Sequence, residues 1–248
     1  SLLGTVEKTN KLIIVNPLRC CYSPQIGDIV VGRVSKIRNR VWRIDINSSS
    51  HALLNLNATY FPEHRKKNED DELNMRNILA ENDTVVAEVH SLNNDRTVNL
   101  HTRNAKYGRL EPGVLVQVDH KLIRRQKHHM LQLGAVSVVL GNNGWLWLSN
   151  LRRNESLDTF NEKKVGTELY TPEQLQAVSM LHNILKVLDQ EGLEISEEFL
   201  NELVEHCRAH KIATADILYG EALKPFLKDR VQNSIPHRIV ENSKGLTY

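Results

Sequence analysis

Gly141 and Gly144 bracket two asparagines in "LGNNGWLWL" (140–148). A Gly-x-x-Gly loop can turn its backbone N–H groups toward a phosphate when a helix follows it. Three other groups of side chains could also do chemistry. "EDDE" (69–72) offers consecutive carboxylates, the ligand type of magnesium-dependent nucleases. Lys36, Arg38, Arg40 and Arg43, with Arg65-Lys66-Lys67 and the stretch 121–129, offer cations to a phosphodiester chain. His206 and His210, four apart, have metal-capable spacing on a helix. Each has a plainer reading. Four adjacent carboxylates point in different directions, whereas a two-metal site gathers them from separated elements, so 69–72 reads as a solvated acidic turn. The two histidines lack an evident third ligand and read as a polar helix face. After the loop, Trp145 and Trp147 alternate with Leu146 and Leu148, which is a strand buried on both faces and not a helix. Asn-Gly between two β runs is a strong hairpin signal, so Gly141, Asn142, Asn143 and Gly144 are expected to form a structural turn. Their glycines would serve positive φ or tight packing.

The chain that must position these groups has 248 residues, 40% of them hydrophobic, enough for one large domain or two or three small ones. Its formal net charge of +2 carries no global attraction to nucleic acid, so any such binding must come from local basic patches. No apolar run is long enough to span a membrane, and no signal-peptide pattern is present. The first residue is Ser1, leaving open a tag or native segment before it. Cys20, Cys21 and Cys207 are odd in number and make no Cys-x-x-Cys, and neighbours such as Cys20 and Cys21 do not easily bridge. A reducing, intracellular setting fits best, and neither a metal nor a cofactor is expected. There is no Gly-x-Ser-x-Gly, Walker loop or His-Glu-x-x-His.

The first two-thirds of the chain reads as strands and the last third as helices. "KLIIVNPL" (11–18) is a short β run; "IVVGRV" (29–34), "VWRIDI" (41–46), "ALLNL" (52–56), "TVVAEV" (84–89) and "TVNLHTR" (97–103) follow, interrupted by a polar insertion at 63–77. Five short strands at this spacing suit a small closed barrel of the OB type. In the last of them Val98 and Leu100 should point inward, and Thr97, Asn99, His101 and Arg103 outward. Trp42 alternates with Ile44 and Ile46 and is expected inside. From Gly113 the pattern restarts with "GVLVQV", a basic stretch and the two runs around the glycine loop, and 152–170 reads as a polar surface loop. Thr171-Pro172-Glu173-Gln174 is a capping-box helix start with Leu175, Val178, Leu181, Leu185 and Leu188 as its apolar stripe and Gly192 as its stop. Ser196 caps a second helix with Phe199, Leu200, Leu203, Val204 and Cys207 inward, and a third lies around "ADILYGEAL" (215–223).

The basic groups crowd the first hairpin of this barrel and its insertion. A positive groove is how OB barrels track a single strand, although most charge runs are plain solvated surface. Lys36, Arg38, Arg40, Arg43, Arg65, Lys66 and Lys67, with the outward His101 and Arg103, are therefore the candidate RNA-binding residues. Aromatic residues make up only 5% of the chain, too few for a rich stacking platform.

"GDIVVGRV", "DELNMR" (71–76), "LHTRNAKYGRL" (100–110), "GVLVQV", "VVLGNNGWLWL" and "ADILYGEAL" occur in this order over roughly residues 4–225. In these words the chain resembles the S1/KH cap subunits of the eukaryotic RNA exosome. The resemblance implies a mixed β and α+β chain: an N-terminal β segment (1–25), an S1-type OB barrel (26–107) and a KH-like domain with C-terminal helices (108–248). It also implies a non-catalytic subunit that joins other cap proteins on a ring of RNase PH-like subunits. Such a subunit stabilises the ring and guides single-stranded RNA into its channel, in nucleus, nucleolus and cytoplasm. A free-standing S1/KH RNA-binding factor is the alternative. A ribonuclease carrying these modules would need a catalytic domain that 248 residues do not display. The chain departs from the usual S1 pattern: Arg40 and Arg43 fall where two aromatics are usual, Asn55 where a His is, and Asn93 and Thr97 where an Asp and an Arg are. Arginine can still stack on bases and bind phosphate.

Overall fold

A computed structural model of the chain describes residues 4–17, 20–60, 69–104, 106–110, 112–126, 128–150, 171–210, 212, 214–218 and 223. It opens with an antiparallel hairpin, β1 (Gly4–Thr9) and β2 (Leu12–Pro17), turned at Asn10, whose φ is 57°. The first of these strands has no hydrophobic alternation strong enough to announce it in "GTVEKT"; it falls within the N-terminal β segment (1–25) that the resemblance implies.

Five strands then close a barrel: β3 (Ile29–Arg38), β4 (Val41–Asp45), β5 (Ala52–Thr59), β6 (Thr84–Leu92) and β7 (Val98–Thr102). They pair in the order β3-β4-β5-β7-β6, and β6 returns to β3, so no edge is left open. The β5–β7 pairing is parallel and the others antiparallel, as expected for an OB barrel. The inward residues of each strand meet in one core that includes Val30, Val34, Trp42, Ile44, Leu54, Val85, Val89, Val98 and Leu100. Trp42 is fully buried and its Nε1 donates to the Leu79 carbonyl at 3.0 Å, which satisfies the ring's one polar atom.

Between β5 and β6 run two short helices, α1 (Glu69–Leu73) and α2 (Met75–Ile78). The expectation of a solvated acidic turn at 69–72 is corrected here. Asp71, Met75 and Ile78 are all buried, four and then three residues apart, which puts them on one side of the helical run and against the barrel. A two-residue strand, β8 (Gly108–Arg109), pairs with β6 beyond the barrel.

The second body is an antiparallel sheet in the order β10-β11-β12-β9, formed by β9 (Val114–Gln117), β10 (Met130–Leu133), β11 (Val136–Leu140) and β12 (Trp145–Ser149). One face carries α3 (Pro172–Glu191) and α4 (Glu197–Ala209), with the short α5 (Thr214–Leu218) beside α3. α3 begins with the expected Thr171–Gln174 capping box and Pro172, and ends at Gly192 with φ 68°. The Ser196 hydroxyl caps α4 by accepting from the Phe199 N–H. Leu175 departs from the expected stripe: it is half exposed, because α3 meets the sheet only from its second turn onward. Along β12, Leu146 and Leu148 enter the core under the helices, while Trp145 and Trp147 turn the other way. There they join Val139, Leu110, Val31 and Val86 in a smaller core between sheet and barrel. The two-faced burial read from Trp-Leu-Trp-Leu is thus the way one strand serves two cores. The polar segment 152–170 lies outside the described residues.

Candidate nucleic-acid interface

The barrel's outer face collects part of the candidate set. β3 runs to residue 38, longer than its apolar core of 29–34 suggested, and so places Lys36 and Arg38 on the strand itself. Lys36 stands directly opposite Arg43 across the β3–β4 ladder. Arg43 in turn pairs with Leu53, Leu53 with Asn99, and Asn99 with Ser91. Lys36, Arg43, Leu53, Asn99 and Ser91 therefore form one row across four inter-strand steps. Arg38, Val41 and Asn55 form a second row beside the first. Lys36, Arg38 and Arg43 are exposed and make no ion pair with another described residue. Asn99 is held by donating to Ser91 Oγ and Asn93 Oδ1, both at 3.0 Å. Two like-charged side chains facing each other, Lys36 and Arg43, repel unless an anion lies between them.

Arg40 sits differently. Asn39 and Arg40 have φ of 43° and 66°, the positive pair that closes a two-residue hairpin. From that turn the Arg40 guanidinium forms an ion pair with Glu72 of α1, so its charge is partly answered within the chain. Arg65, Lys66 and Lys67 lie outside the described residues. His101 is two residues beyond Asn99 on β7, opposite Glu88, with its ring edge-on to His90 at 5.3 Å. Partial burial holds its pKa below the ordinary value; Glu88 opposes this, while His90 and Arg103 reinforce it. Arg103 is exposed just past the strand. In the closed barrel β7 is two strand spacings from β3 through β6 and two from β4 through β5, ~10 Å either way, so His101 and Arg103 flank the basic row.

Three described members of the second basic stretch are engaged within the chain. Arg125 reaches Asp28 at 3.0 Å, Arg124 pairs with Glu194 at 3.8 Å, and His129 is buried with Nδ1 bonded to the Leu140 carbonyl at 2.8 Å. These groups join the two bodies or close the fold.

Gly141–Gly144 is the turn between β11 and β12, as expected. Gly144 has φ 84° and donates to the Gly141 carbonyl at 3.1 Å; Gly141 donates to Trp145 at 3.0 Å. The loop is buried against the barrel. Asn142 N–H donates to the Ile29 carbonyl at 2.8 Å. The Asn143 side-chain amide donates to the carbonyls of Val31 (2.7 Å) and Ile46 (2.9 Å), and its oxygen accepts from Val31 N–H at 3.3 Å. Asn47 Nδ2 completes the contact by donating to the Asn143 carbonyl at 3.3 Å. A Cβ at Gly141 would lie 3.0 Å from Val31 N and 2.5 Å from the Trp145 carbonyl, so no larger residue fits. Three of its four backbone N–H groups are spent and a strand follows, the arrangement of a structural turn. Asp28, the hub below it, accepts from Tyr22 Oη (2.7 Å), Gln25 N–H (3.0 Å), Arg125 and Asn142 Nδ2 (3.3 Å). Sequence reasoning missed Asp28, Asn47 and Tyr22, since their roles depend on segments about a hundred residues apart in sequence.

At the β6–β7 turn, Asn93, Asp95 and Thr97 bond one another: Asn93 Nδ2 to Thr97 Oγ1 at 2.8 Å, and Thr97 Oγ1 to Asp95 at 2.6 Å. These bonds from Thr97 pull the Asp95 carboxyl below its usual value. Among the described residues no three His, Cys, Asp or Glu gather as metal ligands, and no helix is long and apolar enough to cross a membrane.

A family model for the S1 domain of RRP4 matches residues 21–91, and a KH-domain model matches residues 113–151. The chain is 36% identical over 236 residues to the exosome complex component RRP4 of Mus musculus, covering 94% of this chain and 79% of that one. The corresponding homolog from Arabidopsis thaliana is 32% identical, with 89% and 73% covered. That of Saccharomyces cerevisiae is 44% identical over 161 residues, with 64% and 44% covered. Among solved structures, one described as an exosome complex RNA-binding protein shares the fold at 21% identity and a TM-score of 0.50, over 77% of this chain and 99% of that one. Barrel, sheet, joint and sequence agree: the chain belongs to the RRP4 family of exosome complex components.

Proposed function

We propose that this chain is a non-catalytic, RNA-binding cap subunit of an exosome complex, divided as an N-terminal β segment (1–25), an S1 barrel (26–107) and a KH-like domain (108–248). It guides single-stranded RNA across the outer face of its barrel toward a nuclease held elsewhere in the complex. The observation that carries this reading is the row of exposed cations, Lys36 opposite Arg43 with Arg38 beside them, on the outside of an OB barrel in a member of this family. Such a row tracks phosphates and leaves base identity unread, because no aromatic stands among them. Arg40 contributes less, being tied to Glu72; Arg65, Lys66, Lys67, His101 and Arg103 extend the path. Gly141–Gly144 acts as the joint that fixes the KH-like sheet to the barrel and takes no part in holding nucleotides.

Ring contact is supported by the β1–β2 hairpin. Val6, Leu12 and Ile13 are each more than 60% exposed there, an apolar concentration that a partner surface would cover. The relatives' names support membership of an exosome complex; partners among RNase PH-like ring subunits and other cap proteins, and a setting in nucleus, nucleolus and cytoplasm, are proposed on the sequence resemblance.

The test is purification of the tagged full chain from its own cells, with mass spectrometry and a nuclease assay. Co-elution with ring subunits at the mass of a multi-subunit complex, and no RNA degradation by the isolated chain, is the expected result. Elution with RNA alone would favour a free-standing binding factor. Degradation that survives purification and is lost in Asp70→Asn, Asp71→Asn would overturn the non-catalytic reading.

A further inference from the structure

Beside the joint lies a cleft of about 240 Å³ lined by Cys20, Tyr22, Asp28, His120, Arg125 and Asn142 among others. It holds groups that the RNA-guiding reading does not use. Cys20 is exposed, and its Sγ lies 3.8 Å from His120 Nε2. On the other side of the ring, His120 Nδ1 lies 3.3 Å from Asp119 Oδ1. The Asp119 carboxylate beside Nδ1 favours the tautomer that carries its proton there, which leaves Nε2 as an acceptor facing the thiol. Thiol, imidazole and carboxylate thus stand in the sequence that activates a sulfur nucleophile. The ring is set by Tyr22, edge-on to it at 5.9 Å, and by its place in the 3-10 turn His120–Leu122, capped by Asp119. Burial holds the imidazole below its ordinary pKa, with Asp119 pulling the other way and Lys121 reinforcing burial, so it is a neutral base at neutral pH. A second group in the cleft points to a ligand: the Arg125 guanidinium, paired with Asp28 at 3.0 Å, keeps its other donors exposed there.

We propose that Cys20 is a base-activated thiol and that this cleft is a modification site for a small disulfide carrying carboxylate groups. In the reaction His120 Nε2 takes the Cys20 proton and the thiolate attacks one sulfur of the disulfide. The ligand's S–S bond breaks as the new S–S bond forms, and the departing thiolate recovers the proton from the imidazolium. Cys20 sulfur is oxidised and the leaving sulfur reduced, so no further oxidant is needed. Arg125, whose guanidinium is shared with Asp28 but largely exposed, offers its remaining donors to a carboxylate. Cys21, the exposed neighbour, lines the same cleft but contacts no imidazole among the described residues, and Cys207 is buried with its thiol pushed up by burial.

The experiment exposes the full chain to oxidised glutathione or to cystamine, which has neither amide nor carboxylate, and follows each cysteine by peptide mass spectrometry. Cys20 should form the mixed disulfide at least tenfold faster than Cys21, prefer glutathione over cystamine relative to Cys21, and slow about tenfold in His120→Gln while Cys21 is unchanged. Labelling of Cys207 would reveal an unfolded variant, and Asp119→Asn, which keeps thiol and imidazole, then takes its place and should slow Cys20 by a smaller factor. Equal rates at Cys20 and Cys21 in the native chain, or a folded His120→Gln chain in which Cys20 reacts as before, would overturn the activated thiol. No preference for glutathione over cystamine would overturn the ligand class.

Discussion

The side-chain amide of Asn143 donates to the Val31 carbonyl at 2.7 Å, across 112 residues of sequence. The same side chain also engages Val31 N–H and the Ile46 carbonyl, so one fully buried asparagine completes the hydrogen bonding of the barrel's wall. A glycine loop that could have gripped a phosphate is thereby a joint between two bodies.

Replacing Asn143 with Ala would leave three buried backbone groups without partners, each worth about 1–3 kcal/mol if unmet. Allowing for relaxation and water entry, Asn143→Ala should lose about 2–4 kcal/mol in denaturant unfolding. Loss of less than about 0.5 kcal/mol, a shift typical of surface sites, would show that the joint is not held by this residue.

Gly144→Val tests the turn. The backbone φ of 84° and a Cβ 2.4 Å from the Val118 carbonyl leave no place for a branched side chain. The backbone alone costs about 1–3 kcal/mol, and the clash adds to it. Melting temperature, assembly with ring subunits and RNA affinity should fall together. Normal melting and assembly with RNA affinity lost would instead restore a nucleotide-holding role.

Much of this was legible in sequence because it is local. The Asn-Gly turn, the alternation of Trp145 and Trp147 with leucines, the Thr171 capping box and the inward Trp42 each follow from neighbours within a few residues. The joint was not legible, since nothing near Asn143 in sequence names Val31 or Ile46 as its partners. Charge misled in the same way. Arg38 and Arg125 look alike in sequence, yet one makes no ion pair with another described residue and the other is bound to Asp28 from another segment. Asp71 reads as solvated until helix geometry aligns it with Met75 and Ile78.

Acid should weaken the fold through its histidines. His101 and His120 are both held below the ordinary value of 6.5, chiefly by burial, so the unfolded chain binds protons there more readily than the folded one. Their contribution is intact above the ordinary value and is lost as pH falls from it through the depressed folded values. Melting temperature should drop between pH 7.5 and pH 5, with a shallower drop in His101→Gln and His120→Gln. Asp95, depressed from a starting value of 3.8, titrates below this window and does not mask the effect. A slope unchanged in both variants would contradict the assignment.

The RNA path is tested most directly by reversing Lys36, Arg38 and Arg43 to Glu in the assembled complex and measuring single-strand affinity as a function of salt. These three side chains are exposed and lie outside all three hydrophobic cores, so folding should be retained. Three phosphate contacts to a single strand, at about 0.7 each, should make the log–log salt dependence shallower by about 2, with affinity lowered for every RNA sequence alike. The account predicts that loss, and a smaller one for Arg40→Ala, whose guanidinium is already paired with Glu72. Unchanged affinity and unchanged slope in the charge-reversed complex would contradict it.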